Sequence, residues 1–166
     1  MPEYTRPATW EDLKALARAL NDAHVDYALV GGYAIAAHGF NRFSEDIDIL
    51  VDPAAANSRR WILALSELPD GAAQALASEP DVFADDRRYA IRINDEFTID
   101  VMPSIAGHSW DEMRSYIQII DLDGVPLKLL NLEGLLRTKQ GARPKDQMDA
   151  AVLRQALAAL VRSPPK

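Results

Sequence analysis

The sequence predicts one α+β (α/β) domain, a mixed β-sheet of about five or six strands flanked by helices, with further helices at the C-terminus. Its 166 residues, 48% hydrophobic and 26% charged, suit one globular domain with a real core and leave little room for a second. Short β-forming runs alternate with amphipathic helical segments, without an internal repeat. We therefore expect a single domain over 1–162 and a frayed tail over 163–166.

Helical and strand signals alternate through the first half of the chain. Thr9 and Asp12 match a capping box, and apolar residues at i, i+3, i+4 and i+7 spacing follow. Two short apolar runs of strand character come next, the first closed by Gly31-Gly32 and the second by an Asp-Pro pair. The pattern predicts helices over 10–23, 33–38 and 55–68, neighbouring strands over 27–30 and 46–51, and a loop with a helical turn over 71–81.

The second half of the chain predicts two hairpins followed by two helices. Each hairpin consists of two β-forming runs around a polar turn, at 94–96 and at 121–124. Asn131 suits a helix N-cap, and Pro144 suits the first turn of a helix. The pattern predicts strands over 89–93, 97–102, 117–120 and 125–127, and helices over 132–139 and 144–161.

Composition and charge exclude several classes of function. The chain has no cysteine, which rules out disulfides, thiolate metal sites and cysteine nucleophiles. No apolar run approaches the ~18 residues of a membrane span, and the N-terminus lacks a signal-peptide pattern, so we expect a cytoplasmic protein without a membrane partner. The net charge of −7 disfavours bulk binding of duplex DNA, although residues 124–166 carry 8 basic against 3 acidic groups. This basic segment favours either pairing with the acidic body or a cleft for an anion bridged by a cation.

Three aspartates lie within runs that otherwise form strands. Asp46 and Asp48 are two residues apart, so the pleat of a strand places both carboxylates on one face, and Asp100 lies in the run 97–102. Without thiolates or a histidine pair, three converging carboxylates form a hard oxygen site suited to Mg²⁺ or Mn²⁺ rather than zinc. The alternative is that these carboxylates are solvated or pair with arginines, namely Arg42, Arg87 or Arg92.

The Gly31-Gly32 pair lies between a predicted strand and a predicted helix. Free backbone N–H groups at such a junction can hold a phosphate group. The alternative is a tight turn that needs only the conformational freedom of glycine. The two aspartates on the next strand favour the first interpretation, because they would place a divalent cation beside the phosphate.

The stretch LVGGYAIAAHGFNRFSEDIDILVD resembles the nucleotidyltransferase superfamily, the DNA polymerase β-like fold, and within it the small bacterial minimal and AbiEii-type members. The family pattern is an apolar strand, Gly-Gly or Gly-Ser, a short helix, and Arg-x-Thr-x-Asp-hydrophobic-Asp. TIDVMP fits the later strand with a third carboxylate, and LLRTKQGARPKDQMDAAVL matches a Lys…Arg-x-Lys-Asp pattern. The resemblance covers roughly 25–155. It departs at Ser44, where threonine is usual, and at Gly32, where many members have serine.

The resemblance implies transfer of a nucleoside monophosphate from an NTP to a hydroxyl acceptor with release of pyrophosphate. Asp46, Asp48 and Asp100 would be the catalytic residues and the ligands of Mg²⁺ or Mn²⁺. The residues expected to bind the nucleotide are Gly31, Gly32, Arg42, Ser44, Lys139, Arg143 and Lys145. The acceptor stays open among tRNA, a protein and a small molecule, and the small size of the chain favours a protein partner or a homo-oligomer that supplies part of the site.

A second class of function also stays open. A catalytically weak or silent relative would act by binding a protein, for example as one component of a toxin–antitoxin pair. We favour activity, because a silent copy has no physical need to keep like charges together. The geometry of Asp46, Asp48 and Asp100 distinguishes the two, since only an active enzyme requires these carboxylates to converge.

Overall fold

A computed structural model of the chain describes residues 6–40, 44–78, 82–83, 90–139 and 144–162. These residues form a six-stranded mixed sheet, a separate two-stranded hairpin and several helices, which confirms the predicted fold class. The strands are β1 (Tyr27–Val30), β2 (Ile47–Val51), β3 (Ile91–Asn94), β4 (Thr98–Met102), β5 (Ser104–Ile105), β6 (His108–Ser109), β7 (Ile117–Leu122) and β8 (Val125–Leu130). The helices are α1 (Trp10–Asp22), α2 (Gly31–Ala37), α3 (Ala55–Ser66), α4 (Trp110–Met113), α5 (Leu132–Arg137) and α6 (Pro144–Arg162), with 3-10 turns at Ala72–Leu76 and Arg114–Tyr116.

The sheet has the strand order β3-β4-β2-β1-β8-β7. Its outer strands belong to the two predicted hairpins, β3–β4 and β7–β8, both antiparallel. The central strands β1 and β2 pair antiparallel, and each is flanked by a parallel neighbour, β8 beside β1 and β4 beside β2. The parallel pairing of β2 with β4 is what brings two distant acidic segments side by side.

The core lies around the two central strands. All four residues of β1 are buried, and α1 and α3 bury Leu16 and Trp61 completely or nearly so. The capping box predicted at the start of α1 is present, since the Thr9 hydroxyl accepts from the N–H of Asp12 at 3.2 Å and the Asp12 carboxylate accepts from the N–H of Thr9 at 2.8 Å. Burial of each large apolar side chain contributes about 1.5–3 kcal/mol to the stability of the fold. The strands that carry the site described below are therefore well anchored in the core.

The segment 103–116 folds into elements that the sequence did not predict. It holds the short β5–β6 hairpin, α4 and a 3-10 turn, all too brief to show a hydrophobic period. A signal was present nevertheless: Ser109 and Glu112 form a capping box at the start of α4, like the one that opens α1.

Several element boundaries differ from the prediction by one to three residues, and two of them bear on the site. Helix α2 begins at Gly31 rather than at Tyr33, so both glycines belong to its first turn, and β8 continues to Leu130 rather than ending at 127. The extension of β8 follows from tertiary pairing, because Leu129 pairs with Leu29 of β1. None of the described helices has the length and apolar character to cross a membrane.

Candidate active site

A single row of paired residues crosses four strands of the sheet. Arg92 of β3 lies opposite Asp100 of β4, Asp100 lies opposite Asp48 of β2, and Asp48 lies opposite Val30 of β1. Directly opposed residues project to the same face of a sheet. The row therefore places the carboxylates of Asp48 and Asp100 side by side, and we call this pair the carboxylate row. The guanidinium group of Arg92 lies at its outer end and the start of α2 at its inner end.

The environment of Asp48 raises the pKa of its carboxyl group from the ordinary 3.8 to about 7. Burial is the largest cause, followed by the negative charge of Asp100 and a hydrogen bond with it, and then by the charge of Asp46, while Lys139 acts in the opposite direction. Burial and the two neighbouring carboxylates thus outweigh the opposing charge of Lys139 at this carboxyl group.

Gly31 makes room for the Asp48 carboxylate at the start of α2. Its φ is +73°, a backbone conformation that residues with a side chain rarely adopt. A Cβ atom there would overlap Oδ2 of Asp48. Gly32, which the sequence predicted to bind phosphate together with Gly31, is buried in the first turn of the same helix. The close approach that requires a glycine therefore occurs at Gly31.

Arg92 contacts two of the three predicted site aspartates. Its Nε lies 2.9 Å from Oδ1 of Asp100 and its Nη2 lies 3.2 Å from Oδ2, which makes a bidentate pair. The same Nη2 lies 3.7 Å from Oδ2 of Asp46. The arginine pairing that the sequence left open is thus present for Arg92, and the pKa of its guanidinium is raised by the hydrogen bond to Asp100.

The arrangement around these aspartates bears on metal binding. Within the described part of the chain, no group of three or more His, Cys, Asp or Glu side chains has an arrangement that could hold a metal ion. The guanidinium of Arg92 is a positive charge that lies next to both Asp46 and Asp100.

Lys139 reaches the site from the other side, across a cleft of about 450 Å³. Its Nζ lies 3.5 Å from Oδ1 of Asp146 and 3.2 Å from Oδ2 of Asp149, two carboxylates of α6. The lysine side chain is only 13% exposed, so it is held between the sheet and α6.

The cleft has walls that sequence reasoning missed. Apolar and small side chains join Asp48 and Lys139 around it: Val30, Met102, Ile105, Ala106 and Thr138. Met102 and Ile105 flank the unpredicted start of the 103–116 segment. Val30, Met102 and Thr138 lay beside residues that the sequence had singled out, whereas Ile105 and Ala106 had no such signal.

Among the remaining predicted nucleotide-binding residues, Ser44 donates its hydroxyl proton to the backbone oxygen of Asp46 at 2.9 Å. This bond shapes the turn that leads into β2. Arg42, Arg143 and the side chain of Lys145 lie outside the described residues.

With this geometry in view, comparison with known proteins identifies the family. Residues 14–123 match the family described as nucleotidyl transferase AbiEii toxin, type IV TA system. The chain belongs to this family. It is therefore a nucleotidyltransferase, as the resemblance in the sequence predicted, from a family described by its toxin–antitoxin role. No curated protein matches the chain.

Solved structures share the fold at low sequence identity. A Thermotoga maritima protein described as a nucleotidyltransferase has a TM-score of 0.57 at 15% identity, covering 90% of this chain and 92% of its own. The lincosamide antibiotic adenylyltransferase LnuA, with lincomycin bound, has a TM-score of 0.59 at 15% identity, covering 89% and 98%. ANT(2'')-Ia, in complex with adenylyl-2''-tobramycin, has a TM-score of 0.59 at 11% identity, covering 90% of each chain. These likenesses confirm the nucleotidyltransferase-like fold.

We expect Asp48→Asn to stabilise the metal-free protein above neutral pH. Because folding raises the pKa of Asp48 from 3.8 to about 7, this group favours the folded state below about pH 4 and loses that contribution as pH rises to 7. An asparagine side chain does not ionise. The free energy of unfolding of the variant should therefore exceed that of the wild type by on the order of 2 kcal/mol or more at pH 8, and by much less at pH 4.

Denaturant unfolding in EDTA at both pH values measures this difference. The exposed Asp111→Asn serves as the control and should leave stability nearly unchanged. An Asp48→Asn variant less stable than the wild type at pH 8 would contradict the assigned repulsion.

Gly31→Ala should cost more stability than Gly124→Ala. Both glycines have positive φ, +73° and +87°, so alanine strains the backbone at either position by about 1 kcal/mol or more. Only at Gly31 does the new Cβ also overlap Asp48, whereas Gly124 has open space around it. Urea unfolding of the two variants compares the costs, and equal losses would show that Gly31 serves the turn alone.

Proposed function

We propose that this nucleotidyltransferase moves a nucleoside monophosphate from an NTP to a hydroxyl acceptor in a reaction that depends on Mg²⁺ or Mn²⁺. The acceptor oxygen bonds to the α-phosphorus, the bond from that phosphorus to the pyrophosphate oxygen breaks, and a carboxylate of the row takes the hydroxyl proton. The observation that carries this proposal is the in-register pair Asp48 and Asp100, of which Asp48 lines the same cleft as Lys139.

The chemistry of the donor atoms, rather than their arrangement in the described chain, suits a divalent cation. Asp46, Asp48 and Asp100 offer only hard oxygen atoms, the ligands that Mg²⁺ and Mn²⁺ prefer. Burial raises the pKa of Asp48 most, and the charges of Asp100 and Asp46 raise it further; a divalent cation would offset this second contribution. When bound, the metal would offset the charge on the transferred group and on the departing pyrophosphate.

Lys139 is the residue we assign to the triphosphate. A lysine provides a compact positive charge without fixed geometry, and the two α6 carboxylates restrict where this one can point. Its charge also acts on Asp48, which places it within electrostatic reach of the carboxylate row. Lys139 would thus hold the phosphates while the row binds the reacting centre.

The proposal extends to the biological setting of the family. Its description as a type IV toxin supports a role for this chain in a toxin–antitoxin pair, with tRNA, a protein or a small molecule as the acceptor. Two solved relatives are adenylyltransferases of antibiotics, which supports small hydroxyl compounds within that range. A protein partner or a second copy would complete the acceptor side of the cleft.

Asp48→Asn and Asp100→Asn should each reduce nucleotide transfer by roughly 100-fold or more, because either change removes a charge that the reacting centre requires. Incorporation of label from an α-labelled NTP into cell extract, with Mg²⁺ present, measures the transfer. Asp111→Asn, a change of the same kind at an exposed position of α4, should retain full activity. Transfer at the wild-type level by both row variants would exclude this catalytic assignment.

Lys139→Gln should markedly reduce the stabilisation that an NTP with Mg²⁺ gives the wild type, since the stabilisation by a bound ligand grows with the logarithm of its affinity. Lys14→Gln is a matched control, because Lys14 is also 13% exposed and contacts two carboxylates, those of Glu11 and Asp123, but does not line the cleft. Both variants lose ion pairs, so the ligand-induced shift separates binding from stability. An undiminished shift in Lys139→Gln would remove the lysine from the nucleotide site.

A further inference from the structure

Arg92 stands at the point where the carboxylate row meets the edge of the sheet. Its partner Asp100 has a side chain only 15% exposed and Asp46 is 38% exposed, whereas Arg92 itself is 60% exposed. Strand β3 is an edge strand of the described sheet, with β4 as its neighbour. The guanidinium can therefore leave the carboxylates for solvent without disturbing the core.

The β3–β4 register determines the position of Arg92. Ile91 and Ile93 alternate with Arg92, and Ile93 is buried on the opposite face. Because that apolar face holds the strand in place, Arg92 must project on the face that carries Asp100. The pairing is thus a consequence of the fold rather than of a flexible surface side chain meeting a nearby charge.

We propose that Arg92 is a built-in counter-cation of the carboxylate row and of the neighbouring Asp46. In the metal-free protein Arg92 holds Asp46 and Asp100 together, and it competes with a divalent cation for them. The proposal rests on the proposed function, in which these aspartates bind Mg²⁺ or Mn²⁺. Its guanidinium already engages both oxygens of Asp100 and lies 3.7 Å from Asp46, so it occupies the space between two expected metal ligands.

The direction of the effect follows from charge. A guanidinium near a carboxylate lowers the local negative potential, and a unit charge about 4 Å from a divalent cation alters the binding of that cation by roughly thirtyfold even at the dielectric constant of water. Removal of Arg92 should therefore tighten metal binding. It should also weaken the metal-free fold, because the carboxylates of the row then lose a neighbouring cation.

Binding of Mn²⁺ alone to the full chain, followed by electron paramagnetic resonance, tests the proposal without depending on activity. We expect Arg92→Gln to bind Mn²⁺ roughly thirtyfold more tightly than the wild type. Arg92→Lys, which keeps the charge but loses the bidentate fork, should have an intermediate affinity. Arg114→Gln is the control, since Arg114 is 65% exposed and its ion-pair partner, the carboxylate of Asp111, lies 3.9 Å away and outside the row.

Melting temperatures of the same proteins in EDTA and in Mn²⁺ give a second readout. Arg92→Gln should melt below the wild type in EDTA and show the larger rise with Mn²⁺. Lower stability with unchanged or weaker Mn²⁺ affinity would overturn the proposal, because Arg92 would then be a structural ion pair only. If Arg92→Gln does not fold, an Arg92→Lys variant with the wild-type affinity for Mn²⁺ would overturn it equally. Absence of Mn²⁺ binding by the wild type and both variants would overturn the metal assignment of the proposed function as well.

Discussion

Repulsion between two aspartate carboxylates is the constraint around which this site is built. The parallel pairing of β2 with β4 holds Asp48 directly beside Asp100, and the surrounding core prevents either strand from moving away. Side-by-side anions in a partly buried position raise the free energy of the folded state unless cations or protons compensate them. The neighbouring features of the molecule, a glycine and two basic side chains, supply space and charge at this point.

The two basic side chains approach the row from opposite directions and are held differently. Arg92 is placed by strand register and remains largely exposed, so it can exchange between the carboxylates and solvent. Lys139 is nearly buried and is held by two carboxylates of α6. Under the proposed function this difference matters, because an exposed cation can give way to a metal whereas a buried one can position a phosphate. Part of the basic C-terminal segment is thus paired within the segment itself, where the α6 carboxylates hold a lysine at the cleft.

Much of the fold and part of the site could be predicted from the sequence. Helix α1 with its capping box, strand β1 and both hairpins carry strong local signals, and the pair Asp46 and Asp48 stands out because acidic residues rarely interrupt an apolar strand. The 103–116 segment could not be predicted, since its elements of two to four residues form by docking and show no period of their own. Ile105 and Ala106 line the cleft for that reason without any sequence signal.

The sequence by itself determined the chemistry available: oxygen ligands without thiolates, a glycine pair before the aspartates, and a basic C-terminal segment. Only the tertiary structure decided which of these groups meet. The partner of Asp48 depends on β4 adding beside β2, about fifty residues later in the chain, and strand order is a property of the whole sheet rather than of any one strand. The same holds for Arg92, which the sequence offered as one of three candidate arginines, because a one-residue change of register would turn its side chain to the opposite face.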